Sequence, residues 1–556
     1  MKDPVTTVGA YLAKRLQEVG IHHFFGVVGD YVLDLMDVLL AHDLKFIGTC
    51  NELNAGYAAD AHARINGVSM VCVTYNVGGL SLVNAVAGAY AELVPMIVVS
   101  GAPSTSQQQQ QLLLHHTSVN YNLQIDIFAK ITVAAVRISS PEQAARQIDQ
   151  AIATCLQQRR PVYIEIPSDM VNEPCLISET LALLPTPSLD HQALSEAVEE
   201  AVGLLDQAQR PIILAGVELH RYGIAHHLSE LLERTGYPFT TTLLGKSIIS
   251  ERHPQFIGSY AGRLSRDSIR ERVETADCVL CLGAFMSDIN LGGFTAQLPQ
   301  ERLINANSDK VKIKHHFYQP VSLAAFMAGL TQRLQHKSPQ TLEIRPAKEY
   351  YQGFELQPNQ ALQDARFYLR FNQFLDEVGG KSIVIAETGD ALIATIDLLL
   401  YGDTEYIGQA LYTSIGYAVP ACLGAALAAP DRRPIVLVGD GAFQMTAQEL
   451  STIIRHQLNP IFFLINNDGY TIERAIHEGS YNDIQPWRYH QLPQVFGESW
   501  SCEVRTEAEL ESALTQARLN TSLSLIEVHL ERHDCSFGVQ RLGESLRARR
   551  SNVQPL

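Results

Sequence analysis

Short apolar runs alternate with helical patterns in the first part of the chain. Thr7 can cap a helix whose apolar positions recur every three or four residues, and Gly20 ends that helix. Four apolar runs predict strands, at residues 23–27, 44–49, 69–74 and 96–100. Helices are predicted between these strands, with a turn at Gly78-Gly79. Because the strands are short, apolar and separated by helices, we expect a parallel sheet covered on both faces.

The same alternation returns twice further along the chain. A second set of strands is predicted at 211–215, 278–282 and 303–305, and a third at 382–387, 435–438, 461–465 and 524–528. A proline-containing linker at 181–189 and a polar, irregular segment at 337–360 separate the three sets. We therefore predict an α/β protein with three doubly wound parallel-sheet domains, at residues 1–180, 190–340 and 355–556.

The composition limits the partners of the chain. Of its 556 residues, 46% are hydrophobic and 18% are charged, which is typical of a soluble globular protein. The formal charge of −17 repels nucleic acids and anionic lipids. The longest apolar runs are far shorter than the ~20 residues that a membrane-spanning helix needs, and the first residues show no secretory signal. We expect a protein that binds neither nucleic acid nor membrane.

The nine cysteines indicate a cytoplasmic location. Most of them lie in apolar runs and their number is odd, as expected for reduced thiols. Cys278 and Cys281 form a Cys-x-x-Cys pair, but they lie in a run that predicts a buried strand. Side chains three residues apart on a strand point to opposite faces. We therefore predict core cysteines at this pair rather than a metal or redox site.

Two strand ends in the third set carry residues that suit a phosphate and a cation. Gly439-Asp440-Gly441 follows one strand and opens a helix, where glycines let backbone N–H groups approach an anion. The next strand leads to Asn467. Because the carboxyl ends of parallel strands meet at one edge of a sheet, Asp440, the Asn467 amide and a backbone carbonyl can together ligate Mg²⁺.

The pairing of Gly439-Asp440-Gly441 with Asn466-Asn467 resembles the cofactor motif of the thiamine-diphosphate-dependent 2-oxoacid decarboxylases, which include pyruvate, indolepyruvate and branched-chain 2-ketoacid decarboxylases. The resemblance extends over nearly the whole chain. It implies removal of CO₂ from a small-molecule 2-oxoacid to give an aldehyde, with thiamine diphosphate and Mg²⁺ as cofactors. The carbonyl of Gly469 would complete the metal ligands. The cofactor-binding residues that it implies are Thr388, Gly389, Thr413, Ser414, Ile415, Gly439, Asp440, Gly441, Ala442, Asn467, Gly469, Tyr470, Thr471 and Ile472.

The resemblance also assigns roles to side chains outside the motif. Glu52, which follows a strand and begins a helix, would hydrogen-bond the aminopyrimidine ring of the cofactor and activate it. Ile415 would be the apolar wedge that bends the cofactor. The remaining set is expected to transfer the protons needed after CO₂ is lost: Asp30, His115, His116 and Glu473.

Substrate preference stays open at this level. The resemblance implies four bulky aliphatic pocket-wall residues, Leu392, Ile393, Ile472 and Ile476. They favour a small or branched aliphatic 2-oxoacid over indolepyruvate. One methylene is worth only about 1–3 kcal/mol in such a pocket, so these side chains determine the substrate only weakly. Asp390-Ala391 instead resembles the phenylpyruvate-decarboxylase branch. Among the other departures, Asn76 stands where the family usually has glycine.

The family resemblance implies that the first domain of one subunit and the third domain of another form each active site, so we expect a dimer at least and commonly a homotetramer. Two alternatives remain. A carboligase of the acetohydroxyacid-synthase type would use the same cofactor to join a second oxoacid, but the proton-transfer set argues against it. A non-catalytic nucleotide- or metal-binding protein has only weak glycine-rich loops in its favour, since the sequence has no Gly-x-x-x-x-Gly-Lys-Ser/Thr loop.

Overall fold

The computed structural model describes residues 5–176, 190–337 and 354–552. Within these residues the chain divides into two compact units, which are described separately. The first comprises 5–176, 419–430 and 446–458, and the second comprises 190–418, 431–445 and 459–552. The linker predicted at 181–189, part of the segment predicted at 337–360 and the first four residues lie outside the described residues. The domain limits proposed from the sequence therefore stay predictions.

A six-stranded parallel sheet, in the order β3-β2-β4-β5-β7-β6, forms the centre of the first unit. The strands of this unit are β1 Val5–Thr7, β2 His23–Gly26, β3 Lys45–Gly48, β4 Ser69–Val73, β5 Met96–Ala102, β6 Ala135–Arg137, β7 Val162–Pro167 and β8 Pro174–Leu176, of which β1 and β8 form a separate antiparallel pair. Strands β4, β5 and β7 are buried along their whole length, as a sheet covered on both faces requires.

Helices pack on this sheet, and the first four of them lie at or between the strands as the sequence predicts. They are α1 Val8–Glu18, α2 Leu33–Ala41, α3 Glu52–Asn66, α4 Val77–Ala91, α5 Thr105–Gln109, α6 Leu123–Ile131 and α7 Pro141–Gln158. The predicted cap of α1 is confirmed, because Oγ1 of Thr7 accepts a hydrogen bond of 3.2 Å from the N–H of Ala10. The first helix also ends before Gly20, as predicted.

The turn predicted at Gly78-Gly79 is wrong, because both glycines lie in the first turn of α4. A Cβ on Gly79 would come within 2.3 Å of Oε1 of the fully buried Gln124, and one on Gly78 within 3.2 Å of the Cβ of Val73. These glycines therefore allow the start of a helix to pack closely against its neighbours, a need that a turn signal in the sequence does not distinguish.

The second unit contains two sheets. The first of them has the order β11-β10-β9-β12-β13-β14-β15, with parallel pairing from β11 to β13 and antiparallel pairing of β14 and β15 at one edge. Its strands are β9 Pro211–Ala215, β10 Phe239–Thr241, β11 Phe256–Ser259, β12 Cys278–Leu282, β13 Leu303–Asn307, β14 Lys310–Ile313 and β15 His316–Tyr318. Its helices are α8 His191–Gln207, α9 Glu218–Arg221, α10 Ala225–Thr235, α11 Asp267–Glu274 and α12 Leu323–Arg333.

The Cys278–Cys281 pair behaves as predicted. Both side chains are buried in β12, and they belong to the apolar clusters on opposite faces of the sheet. All nine cysteines of the chain are free thiols. Among the described residues, no helix has both the length and the apolar character that crossing a membrane requires.

The second sheet of this unit has six parallel strands in the order β17-β16-β18-β19-β21-β20, the same pattern as the sheet of the first unit. Its strands are β16 Ser382–Ala386, β17 Glu405–Gly408, β18 Arg433–Gly439, β19 Ile461–Asn466, β20 Trp500–Val504 and β21 Ser524–His529. The helices of this region are α13 Asp364–Val378, α14 Asp390–Ala394, α15 Ala418–Ala428, α16 Asp440–Thr446, α17 Leu450–Arg455, α18 Thr471–Ile476, α19 Leu492–Phe496, α20 Glu507–Leu519 and α21 Phe537–Asn552. Nearly all of α15 and all of α17 belong to the first unit.

Strand ends in this last sheet explain where the polar motif residues lie. Strands β16, β18 and β19 are neighbours and run parallel. Glu387, Asp440 and Asn467 each follow one of these strands directly. The three residues therefore lie at one edge of the sheet, the edge at which α/β proteins bind ligands.

Candidate active site

A cavity of about 440 Å³ lies at the carboxyl edge of β16, β18 and β19. Every residue that the sequence predicts to bind the cofactor lines it, with the exception of Ser414. The predicted pocket-wall residues and Glu473 line it as well. Ser414 is next to the lining residues Thr413 and Ile415, and its N–H donates to Oε1 of Gln409 at 3.0 Å. The structure thus brings together four separate stretches of the second unit, at 388–393, 413–415, 439–442 and 467–476.

Asp440 joins the two strand ends that the sequence singles out. Its Oδ1 accepts a hydrogen bond of 2.8 Å from the N–H of Gly441, and its Oδ2 accepts one of 3.0 Å from the N–H of Gly469. Burial raises the pKa of Asp440 to about 7, against the opposing effect of these two N–H groups. Burial keeps the charged carboxylate unfavourable although the charge of Arg474 acts in the opposite direction, so this arrangement suits a bound cation.

The glycines of this region are required by close approach and by backbone conformation. Gly469 has a φ of +127°, and a Cβ there would lie 2.2 Å from the carbonyl oxygen of Asn482. A Cβ on Gly441 would lie 2.5 Å from the ring of Tyr470. The neighbouring Asp468 has a φ of 61°. Non-glycine residues with positive φ are uncommon and gather at ligand sites, because the surrounding structure must hold them.

The first unit groups three of the predicted proton-transfer residues. Nε2 of His115 lies 2.6 Å from Oδ2 of Asp30, and Nε2 of His116 lies 3.9 Å from Oδ1 of the same carboxylate. The ring of Tyr31 stacks on His115 with 5.0 Å between centroids. Asp30 and His115 are exposed and His116 is partly buried. An aspartate hydrogen-bonded to a histidine can orient the ring and exchange a proton with it, which suits proton transfer.

Glu52 lies at the neighbouring strand end of the same unit. It begins α3, whose cap is Asn51, with Oδ1 accepting a hydrogen bond of 2.8 Å from the N–H of Asn54. Its side chain is half-buried, and Oε1 would lie 3.3 Å from a Cβ on Gly78. The missing side chain of Gly78 therefore leaves room for the carboxylate of Glu52 beside the start of α4.

Three family models match the chain in order. They describe the N-terminal TPP binding domain of thiamine pyrophosphate enzymes at residues 6–123, the central domain of these enzymes at 198–334, and their C-terminal TPP binding domain at 387–528. Curated relatives match along nearly their whole length. A pyruvate decarboxylase of Aspergillus fumigatus is 37% identical over an alignment that covers 99% of this chain and 98% of the relative. Pyruvate decarboxylase 1 of Oryza sativa subsp. japonica is 37% identical, with 98% of this chain and 92% of the relative covered.

The chain belongs to the thiamine pyrophosphate enzymes. It is a carboxy-lyase that decarboxylates a 2-oxoacid with thiamine diphosphate as its cofactor. This confirms the family, the fold class, the activity and the organic cofactor that the sequence motifs imply. The roles of individual residues stay predictions.

One buried hydroxyl in this thiamine pyrophosphate enzyme fits a bound cofactor. Within the described residues, Oγ1 of Thr388 is buried and has no hydrogen-bond partner. An unpaired buried hydroxyl costs about 1–3 kcal/mol. Thr388 lines the cavity, so a polar group of the cofactor placed there would satisfy it. The unpaired hydroxyl of Thr388 and the buried carboxylate of Asp440 together fit a ligand that carries both a polar ring and a metal-bound diphosphate.

Glu387 is a residue whose importance the sequence alone did not reveal. It is fully buried; Oε1 accepts a hydrogen bond of 2.9 Å from the N–H of Thr388, and Oε2 accepts one of 2.8 Å from the N–H of Ala418. Burial raises the pKa of Glu387 to about 7. By binding the backbone at Ala418, this carboxyl fixes the segment that carries the predicted wedge Ile415. Only the apolar strand before it could have hinted at its burial.

Arg474 is a second residue that the sequence did not reveal. It is 5% exposed, and Nη1 donates to the carbonyl oxygen of Asn467 at 3.2 Å. Nη2 donates to the carbonyl oxygen of Asn482 at 3.3 Å and to Oδ1 of Asp483 at 2.9 Å, and it also donates to the carbonyl of Asp468. This side chain therefore holds the predicted metal loop in shape. An arginine in a short helix gives no sequence signal for such a role.

Asp390 connects the cavity to the last helix of the described chain. It lines the cavity, and its Oδ2 accepts a hydrogen bond of 3.1 Å from the N–H of Ser536, which immediately precedes α21. Leu542 of α21 also lines the cavity. The residue that resembles the phenylpyruvate-decarboxylase branch thus anchors one wall of the pocket, and it does so through a contact that the sequence does not show.

Proposed function

We propose that this thiamine-diphosphate-dependent decarboxylase acts on a small or branched aliphatic 2-oxoacid and that the predicted site residues carry out the reaction. The observation on which the proposal rests is that the predicted cofactor-binding residues other than Ser414, together with the predicted pocket-wall residues and Glu473, line one cavity around Asp440. The pocket-wall side chains Leu392, Ile393, Ile472 and Ile476 lie in the same cavity. Their bulk disfavours a large aromatic substrate, by steric exclusion rather than by any polar contact.

Asp440, Asn467 and the carbonyl of Gly469 are proposed to hold Mg²⁺, since all three offer the oxygen atoms that this ion prefers. The ion would tie the diphosphate of the cofactor to Gly439 and Gly441, where N–H groups can approach it. Thiamine diphosphate supplies the electron sink that makes loss of CO₂ possible. The polypeptide supplies the binding, the orientation and the exclusion of water.

Several side chains are proposed to orient the organic part of the cofactor. Ile415 would press against it as the apolar wedge, supported by the backbone that Glu387 holds. The buried hydroxyl of Thr388 would form a hydrogen bond with the aminopyrimidine. Glu52 would hydrogen-bond the ring nitrogen N1′ of the same aminopyrimidine and share a proton with it.

Proton transfer after loss of CO₂ is proposed for Asp30, His115, His116 and Glu473. After CO₂ is lost, the carbon that carried the carboxyl group must gain a proton. The hydroxyl group on the same carbon must then lose a proton so that the aldehyde can leave. The short contact between Asp30 and His115 supports a transfer within this set, because the carboxylate can accept a proton through the ring. Glu473 is exposed on α18 and lines the cavity, as a group that meets the substrate would.

The assembly is proposed to be a dimer at least, and a homotetramer by the family resemblance. Glu52, Asp30 and the histidines belong to the first unit and the cavity to the second, and we propose that two copies combine these sets. Exposed apolar side chains beside the histidines, Leu113 at 93% and Val119 at 75%, support burial against a partner. We further propose a cytoplasmic location and domains at 1–180, 190–340 and 355–556.

A coupled assay on a panel of 2-oxoacids tests the proposed substrate class. Aldehyde is measured through added alcohol dehydrogenase and NADH, and the products from pyruvate are identified. We expect pyruvate or a branched-chain oxoacid to give the highest kcat/KM, with aldehyde as the main product. A preference for phenylpyruvate or indolepyruvate, or acetolactate as the main product, would refute the proposal. The variant Glu52→Gln should bind the cofactor and lose nearly all turnover.

A further inference from the structure

We propose that Asp30, His115 and His116 form a binding site for a transition-metal dication of the Zn²⁺ type, and that occupation of this site inhibits the enzyme. One carboxylate oxygen and one ring nitrogen of each histidine all lie within 4.8 Å of one another. Among the described residues, no other three histidine, cysteine or acidic side chains are grouped in this way. The site is distinct from the proposed Mg²⁺ ligands, which belong to the other unit.

The distances are close to those that a tetrahedral ion needs. Zn²⁺ binds nitrogen and oxygen ligands at about 2.0–2.2 Å, which places neighbouring ligand atoms roughly 3.3 Å apart. Oδ2 of Asp30 lies 2.6 Å from Nε2 of His115, and Oδ1 of the same carboxylate lies 3.9 Å from Nε2 of His116. These two distances lie on either side of the spacing that the ion needs. Water would occupy the fourth position, as in sites with three protein ligands.

The backbone already directs one of the histidines toward this position. His116 has a φ of 65°, an uncommon conformation for a side chain of this size. Its carbonyl oxygen accepts a hydrogen bond of 2.7 Å from Nδ2 of the buried Asn76, which holds that conformation. The rings of His115 and His116 lie 4.7 Å apart between centroids. A site whose ligands are held in place before binding loses less conformational freedom when the ion arrives.

The ligand chemistry separates this ion from magnesium. Imidazole nitrogen is a good ligand for Zn²⁺ and Cu²⁺, whereas Mg²⁺ prefers oxygen atoms and loses its water reluctantly. A saturating concentration of Mg²⁺ would therefore leave the histidine site open. Asp30 and His115 have 51% and 58% of their side chains exposed, so an ion can reach them from solvent in the free subunit.

The inhibitory effect rests on the proposed function of the same residues. A metal ion takes the ring lone pairs and the carboxylate oxygen that proton transfer requires, so it removes the acceptors from the reaction. The binding itself requires only the three side chains. The two parts of the proposal can therefore be measured separately.

The chain offers a matched control pair of histidines. His226 and His227 have ring centroids 4.1 Å apart, and Nδ1 of His227 lies 3.2 Å from Oε2 of Glu230. This second pair resembles the first in composition and spacing, but it lacks the three-atom grouping found at Asp30. Replacement of both histidines with alanine removes the same number of imidazoles in each case.

The test is a calorimetric titration of the holoenzyme with ZnCl₂ in excess Mg²⁺ and thiamine diphosphate. We expect the wild type and His226→Ala/His227→Ala to bind one Zn²⁺ per chain with equal affinity. His115→Ala/His116→Ala and Asp30→Asn should bind it at least about tenfold more weakly, a loss of 1.4 kcal/mol or more. Circular dichroism and a thermal melt confirm that these variants fold. Equal Zn²⁺ affinity in all four proteins would overturn the site.

The inhibition is measured on the wild type and on His226→Ala/His227→Ala, both assayed with the best 2-oxoacid. We expect half-inhibition at the Zn²⁺ concentration that half-saturates the calorimetric site, with recovery after addition of a zinc-selective chelator. Zn²⁺ binding without loss of activity would overturn the inhibitory part. If the protein had no decarboxylase activity at all, the proposed function would fail, while the titration would still decide whether the metal site exists.

Discussion

Nδ2 of Asn76 donates a 2.7 Å hydrogen bond to the carbonyl oxygen of His116, and both residues have positive φ angles, of 52° and 65°. Each such conformation costs of the order of 1–3 kcal/mol in a residue other than glycine. The usual glycine of the family would avoid this cost at position 76. We infer that the asparagine side chain instead ties the histidine loop to the start of α4.

Removal of this tether should reduce turnover. Asn76→Gly accepts the same backbone conformation but cannot donate to His116. We expect a decrease in kcat of about fivefold, corresponding to one hydrogen bond of about 1 kcal/mol, with an unchanged dissociation constant for thiamine diphosphate. Asn76→Asp, which keeps the size of the side chain but places a carboxylate against the carbonyl, should lose more. Wild-type kcat in both variants would show that the tether has no role in proton transfer.

The buried carboxyl of Glu387 should make stability depend on pH. Its pKa is about 7 in the folded protein against a usual value of 4.5, so its contribution is fully present below 4.5 and is lost as the pH rises toward 7. Glu387→Gln cannot ionise. Relative to the wild type, the variant should therefore gain about 1.4 kcal/mol of stability per pH unit over this interval, and no more above it.

Chemical unfolding of both apoproteins at pH 5, 6, 7 and 8 measures this effect, because titrations elsewhere in the protein cancel in the comparison. A constant difference between the two proteins across all four pH values would mean that Glu387 titrates normally.

Arg474 should be needed for cofactor affinity. Arg474→Met removes the donors to the metal loop while keeping an unbranched side chain, and we expect the affinity for Mg²⁺ and thiamine diphosphate to fall at least about tenfold. Arg532 offers a matched control, since its Nη2 also lies 2.9 Å from Oδ1 of Asp483 but 45% of its side chain is exposed. Arg532→Met should keep nearly full affinity. Calorimetric titration with the cofactor compares the two, and equal losses would assign the effect to Asp483 rather than to the loop carbonyls.

Two helical glycines should respond in opposite directions to alanine. Gly79→Ala in α4 forces a Cβ against the buried Gln124, and overpacking of this kind costs about 1–3 kcal/mol. Gly203→Ala in α8 meets no atom within 4 Å and should gain about 0.5–1 kcal/mol from helix propensity. Thermal melts should therefore show a lower Tm for the first variant and a higher Tm for the second. Similar Tm values would contradict the packing role of Gly79.

The difference between prediction and structure has a physical origin. Apolar strands and the motif at Asp440 are local patterns, and they lead directly to the three sheets and to the edge where the site forms. Gly79 is read as a turn because its constraint comes from Gln124, which is distant in the sequence. Glu387 and Arg474 escape notice for the same reason, since their partners are backbone groups that only the fold brings near. Local patterns thus locate the chemistry, and long-range contacts determine which residues support it.

Asp440 is proposed to bind the metal on which cofactor binding and turnover depend. The decisive measurement is 2-oxoacid decarboxylation by protein stripped of metal and cofactor with a chelator, before and after addition of Mg²⁺ and thiamine diphosphate. Asp468→Asn, at the exposed neighbouring carboxylate, serves as the control. We predict that the wild type and Asp468→Asn are inactive when stripped and regain activity together, whereas Asp440→Asn stays inactive. Turnover by the stripped wild type, or full recovery of Asp440→Asn, would show that Asp440 does not bind a metal needed for activity.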